Sequence, residues 1–209
     1  MTMSPITTVL RLTISLAVAL LAGCVTPFAL VNPERQTVGD VISVQPGMKW
    51  NKLTSHNYQG KVEVWTLDGT VLNTLVFFTG VPDGEPLFTR RVMGSDPGEK
   101  PPVFKSSMNP IEIQELLEAT VARFFQTTLA EGRNLKSVPI ADGKGFRFET
   151  RMVGRDEVER AGVFVGTIRN RKLYGAWFQG AKLHYFDRYL PEFDGMLATV
   201  RLVGEAAGK

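Results

Sequence analysis

Residues 61–78 constrain the fold more than any other stretch of this chain. Two β-prone runs, 62–67 and 70–78, flank Asp68-Gly69, a dipeptide that tolerates positive φ at both central positions of a type I′ turn. The expected product is a two-residue hairpin in which Leu67 faces Thr70, Trp65 faces Leu72 and Val62 faces Leu75. Alternate side chains of a strand point to opposite faces, so apolar residues fall on both sides of this ribbon. Such a pair belongs inside a sheet that is covered on each face.

The cover can be read further along. Asn109-Pro110 reads as an N-cap and first helical position, and Ile113, Leu116, Leu117, Val121, Phe124, Phe125 and Leu129 recur at three- and four-residue steps. That spacing gives a helix with one broad apolar face, ending near Gly132. Glu112, Glu115 and Glu118 fall on its flank as a solvated row. Strand-like segments follow at 136–141, 146–153, 162–169 and 173–178, with 183–186 as a fifth. Residues 189–202 suit a short C-terminal amphipathic helix that starts around Pro191. A hairpin, a long helix, an antiparallel meander and a terminal helix in that order indicate an α+β domain with an antiparallel sheet.

Ahead of this body the chain changes character. Residues 9–22 are almost wholly apolar with Arg11 as the one positive side chain, and no acid occurs before Glu34. The run is shorter than the ~20 apolar residues a spanning helix needs and has the length of a signal-peptide core. Residues 25–40, with Pro27, Pro33 and no periodicity, suit a tether able to lift a domain on the order of 50 Å from a bilayer. The expected division is a signal peptide at 1–23, a lipidated tether at 24–40 and a single domain at 41–209.

Leu21-Ala22-Gly23-Cys24 resembles the lipobox of bacterial lipoproteins, in which an aliphatic and two small residues precede the cysteine. The resemblance implies cleavage after Gly23, a diacylglyceryl thioether on Cys24 and palmitate-type acylation of the new amino terminus. Cys24 is the only cysteine of the 209 residues, so no disulfide supports the fold. In lipoproteins of Gram-negative bacteria an Asp after the cysteine favours inner-membrane retention. Val25 stands there instead, which by the same resemblance implies outer-membrane sorting with the domain on the periplasmic side.

The meander at 146–186 followed by Tyr189-Leu190-Pro191-Glu192-Phe193-Asp194-Gly195-Met196-Leu197 resembles the end of the Mog1/PsbP-like fold, where a short terminal helix closes an antiparallel sheet. Members of that fold serve as accessory or binding proteins, so the resemblance implies such a role. Trp65-Thr66-Leu67-Asp68-Gly69 and Gly84-Glu85-Pro86-Leu87 are similar to a family of proteobacterial lipoproteins, a likeness that implies no particular activity.

Catalytic motifs are not found. His56 and His184 are far apart and lack carboxylates at metal-ligand spacing, so no metal is implied. Gly94-Ser95-Asp96-Pro97-Gly98 has the wrong glycine spacing for a nucleophile elbow, Gly143-Lys144-Gly145 is too short for a phosphate loop, and no cofactor motif occurs. The formal net charge is +3, falling by one when Arg11 leaves with the signal. Basic side chains are interleaved with acids rather than grouped, which argues against a nucleic-acid partner.

These observations favour a noncatalytic envelope lipoprotein, held to the membrane by its covalent lipid and contacting another envelope protein. A small-ligand-binding module is the alternative, with the Gly- and Pro-rich stretch 80–108 covering a pocket beside Trp50. A third reading is a hydrolase using a carboxylate pair such as Asp83 with Glu85, or Asp187 with Asp194. The candidate pocket or interaction residues are therefore Trp50, Asp83 and Glu85, with Cys24 as the lipidation site.

Overall fold

A computed structural model describes residues 27–90 and 100–206. The lipobox and Cys24 lie outside the described residues, as does Gly94-Ser95-Asp96-Pro97-Gly98.

Eight strands form one antiparallel sheet. They are β1 (Phe28–Val31), β4 (Trp50–Leu53), β6 (Val62–Thr66), β7 (Asn73–Pro82), β12 (Lys172–Ala181), β11 (Glu159–Arg169), β10 (Gly143–Val153) and β9 (Ala130–Ile140), in that spatial order. Smaller sheets are made by β2 (Gln36–Val38), β3 (Ile42–Val44) and β13 (Arg201–Leu202), and by β5 (Tyr58–Gln59) with β8 (Thr89–Arg90). Helices α1 (Pro110–Phe125) and α2 (Tyr185–Leu197) lie on the two faces of the large sheet. The α+β class and antiparallel meander expected from the sequence are present.

Strand periodicity divides the interior into two cores. Val64, Val76, Phe78, Phe148, Phe164 and Trp177 point to the side of α1, where they meet Ile113, Leu117 and Val121. Their neighbours Trp65, Leu75, Phe77, Val163, Val165 and Phe178 point the other way, onto Phe193 and Met196 of α2 and Val38, Ile42 and Val44 of the small sheet. The two-faced hairpin sits third and fourth in the sheet and is covered on both sides.

Several local expectations are corrected. The β6–β7 register pairs Trp65 with Leu75 and Val62 with Phe78, three residues from the one a two-residue turn would set. The Asn73 side chain explains the longer loop: its Oδ1 accepts from Leu67 N at 2.7 Å and its Nδ2 donates to Asp68 at 2.8 Å. Those bonds do locally what a tight turn would do with backbone alone.

Helix α1 starts as expected. Asn109 accepts from Ile111 N and Glu112 N while Glu112 accepts from Asn109 N, a reciprocal capping box. It stops at Gln126, in the left-handed region at φ 52°, because Thr127 and Thr128 favour extended backbone and the Thr127 hydroxyl bonds the Val153 carbonyl. Gly132 is inside β9, and its N–H donates to Glu118 at 2.7 Å. Of the acidic row, Glu112 thus caps the helix and Glu118 ties it to the sheet.

Residues 183–186 are not a strand. Helix α2 begins at Tyr185 and includes Pro191, and 201–202 return as β13 beside β3. Within the stretch 24–40 expected as a tether, Phe28–Val31 and Gln36–Val38 are instead strands, β1 pairing with β4 and β2 with β3. Short apolar stretches without periodicity become strands when a neighbouring edge satisfies their backbone groups.

Candidate functional site

Where β1, the 53–58 segment, the 67–72 loop, the end of α1 and the β10–β11 turn converge, they leave a groove of about 650 Å³. Phe28, Tyr58, Val71, Phe124 and Phe125 supply its apolar lining, and His56, Arg155, Asp156 and Arg160 its polar lining.

The floor is held firmly. Tyr58 is buried and stacks on Phe124 with ring centroids 4.5 Å apart. Burial pushes its phenol well above the ordinary tyrosine range, against smaller opposing effects of a Thr74 hydrogen bond and the Arg160 charge. The hydroxyl therefore stays protonated and neutral. His56 meets the Tyr58 ring edge-on at 6.0 Å, and its Nδ1 is shielded from solvent without a hydrogen-bond partner among the described residues.

The wall is set by a turn. Gly154 N donates to Val158 O at 3.2 Å, and Arg160 reaches back to Asp156 with two bonds of 3.0 and 2.6 Å while also donating to the Val71 carbonyl. The Arg160 hydrogen bonds hold the Asp156 carboxyl down to about 2, opposed by partial burial and aided by the Val158 N–H. This pair locks the 67–72 loop against the β10–β11 turn. Arg155, by contrast, is exposed and has no ion pair with a described residue.

The Asp156 contribution has a definite pH sign. The folded pKa lies below the ordinary aspartate value of 3.8, so the stabilisation is full above about pH 5 and is lost as pH falls through about 2. Asp156→Asn is expected to lower stability by about 1 kcal/mol at pH 7, since the carboxylate is nearly half exposed and screened. Urea titrations at several pH values should show the gap between wild type and variant closing toward pH 2. An equal gap throughout would contradict the assignment.

The residues singled out from the sequence do not meet in this groove. Trp50 is fully buried in the α2-side core, with Nε1 3.3 Å from Glu192 Oε1. Leu87, Phe88 and Phe104, from the stretch expected to cover a pocket beside it, are buried in the opposite core. Asp83 follows the far end of β7, roughly 25 Å along the strand from the residues level with Trp50. Its carboxyl accepts from Ser106 N and pairs with Arg171 at 3.6 Å. The Ser106 hydrogen bonds hold it below the usual carboxylate range. Glu85 is exposed on the same loop, where its carbonyl accepts from Phe104 N at 2.8 Å.

Asp187 is exposed, and Asp194 pairs with Arg147 at 2.6 Å. His184 is an exposed residue at the start of α2, 3.3 Å from Arg188. Among the described residues no group of three or more acidic or histidine side chains could hold a metal ion. The groove itself was not legible beforehand. Its walls come from five segments spread over 130 residues, and the one local signal, a turn at Gly154, does not disclose the Arg160–Asp156 pair.

The architecture has a counterpart among solved structures. The solution structure of cyanobacterial PsbP (CyanoP) from Synechocystis aligns over 87% of this chain and 97% of its own, with a TM-score of 0.54 and 16% identity. The fold is PsbP-like. At that identity the likeness establishes architecture alone. LpqN of Mycobacterium tuberculosis, described as involved in cell envelope biogenesis, aligns over 87% of this chain and 88% of its own at 6% identity and a TM-score of 0.33, too slight a likeness to argue from. The chain matches no protein-family model and no curated protein sequence. No described helix of this PsbP-like body is long and apolar enough to cross a membrane.

Proposed function

We propose that the protein is a noncatalytic accessory or scaffold lipoprotein of the cell envelope, anchored to the outer membrane by acylated Cys24 and contacting another envelope component from the periplasmic side. The observation that supports the reading is where the described strands begin. β1, the first of them, starts at Phe28, four residues after the lipobox cysteine, so removal of 1–23 takes none of the described strands.

The chemistry on the body is consistent with a structural role. Asp83, Asp156 and Asp194 are engaged by N–H groups or arginines, and the Asp83 and Asp156 carboxyls are held low rather than raised toward the range a general acid needs. The small-ligand reading retains one specific footing, the groove over Tyr58.

Growth with radiolabelled palmitate tests the anchor. Wild-type protein is expected to carry label and Cys24→Ala none. Wild-type protein that stays unlabelled, with its leader intact, refutes the reading.

A further inference from the structure

The two edges of the large sheet are treated differently. β9, at one end, shows solvent Glu131, Arg133, Asn134, Lys136 and Pro139, the charges, proline and irregular backbone that keep an edge from pairing. β1, at the other end, has the sequence Phe-Ala-Leu-Val, with no charge and only Val31 buried. Phe28 is 41% and Leu30 60% exposed. They share a face of the strand, and Phe28 continues into the groove, where Val71 is 67% exposed. Ala181 N donates to Leu72 O, which brings the turn bearing the 99% exposed Leu183 to the same loop. Cationic Arg155, on the groove wall, stands beside this apolar strip.

Among the described residues no strand pairs with the outer side of β1; an exposed apolar edge implies a cover, and the chain ahead of it says which. Three residues, Val25, Thr26 and Pro27, separate Cys24 from Phe28, and the four steps between the two span at most ~14 Å. The headgroup layer on each side of a bilayer is itself about 5–8 Å deep. A body tethered this closely at the glycerol level cannot stand clear of the surface. The residues nearest its attachment are the exposed apolar ones.

We infer that the β1 edge, with Phe28, Leu30 and Val71, rests in the lipid headgroup boundary, and that Arg155 meets anionic lipid there. This rests on Cys24 being acylated. The lipid attachment and the apolar strip together orient the PsbP-like body, rather than leaving it to swing on a long tether.

Acylation blocks the one native thiol, so an added cysteine can be labelled alone. Acylated Phe28→Cys, Leu30→Cys and Val71→Cys proteins, each carrying an environment-sensitive fluorophore, are reconstituted into phosphatidylethanolamine–phosphatidylglycerol vesicles containing a lipid-borne quencher. Ile111→Cys is the control. Ile111 is equally apolar and 58% exposed, but it lies at the opposite end of α1, roughly 20 Å from Phe124.

Labels at 28, 30 and 71 are expected to shift to the blue and to be quenched at least threefold more than the label at 111. Acylated, vesicle-bound protein with equal quenching at all four positions overturns the orientation and leaves the anchor standing. Shielding that develops only when envelope proteins are added overturns it in favour of a protein partner. Protein that lacks the acyl chains fails earlier, at palmitate incorporation, and removes the anchor and the orientation together.

Discussion

Trp177→Ala is expected to destabilise the protein by about 3–5 kcal/mol, the range for truncating a fully buried aromatic. Trp177 is 1% exposed, in the middle of β12 between Val76 of β7 and Phe164 of β11. Its ring lies parallel to Phe88 at 6.1 Å and edge-on to Phe125 at 6.5 Å, joining the sheet to the irregular segment and to the end of α1. Nε1 donates to Thr150 Oγ1 at 3.0 Å. Truncation therefore opens a cavity where three elements meet and leaves the half-buried Thr150 hydroxyl without its donor. Against a total stability of roughly 5–15 kcal/mol for a domain of this kind, the loss is a large fraction. Urea denaturation measures it. Trp177→Phe, which retains most of the volume, should cost about 1–2 kcal/mol. A loss below 1 kcal/mol for the alanine variant would mean that Phe88 and Phe125 close over the gap, and that this junction is softer than its packing indicates.

The same junction shows which parts of the fold could be read from residues alone. Trp65 and Trp177 fall in the strand-like runs 62–67 and 173–178 of the sequence, and both are core. Period-two patterning survives folding because the pleat is local. Register is less legible. Asp68-Gly69 called for a two-residue turn, but Asn73 three residues beyond Thr70 caps the loop with its side chain, and no periodicity reports that. β7 continues to Pro82, through a bulge at Gly80 that lies at φ 95° against the Tyr174 ring. Glycine and proline there mimic a loop in composition.

Edges are the least legible of all. Phe28–Val31 and Gln36–Val38 are strands because β4 and β3 offer them partners, a fact about tertiary placement. For the same reason the groove over Tyr58 is hidden in the sequence: it is assembled from distant pieces.

Deleting the proposed lipid attachment is expected to have the largest effect on the protein as a whole. Cys24→Ala alone is an ambiguous reagent, because it also blocks processing and leaves the apolar residues 9–22 in place. A chain beginning at Val25 behind a conventional cleavable secretory leader isolates the lipid. Its membrane-binding constant should fall by more than about 10³-fold relative to the acylated protein. The estimate follows from magnitudes: one fourteen-carbon chain gives a binding constant of only about 10⁴ M⁻¹, and each further methylene contributes about 0.8 kcal/mol, so a second or third chain raises retention by many orders of magnitude.

Phe28, Leu30 and Val71 would add about 1.5–3 kcal/mol each if fully buried, and less at an interface where burial is partial. Together they amount to one acyl chain at most. On the proposed anchor the strip would therefore orient the body, and would not hold it alone. Phe28→Ser with Leu30→Ser should abolish the residual vesicle binding of the lipid-free chain, yet leave the acylated protein in the membrane pellet. Sedimentation with phosphatidylethanolamine–phosphatidylglycerol vesicles reads both. Release of the acylated double variant would reverse this order of strengths and make the β1 edge the principal attachment.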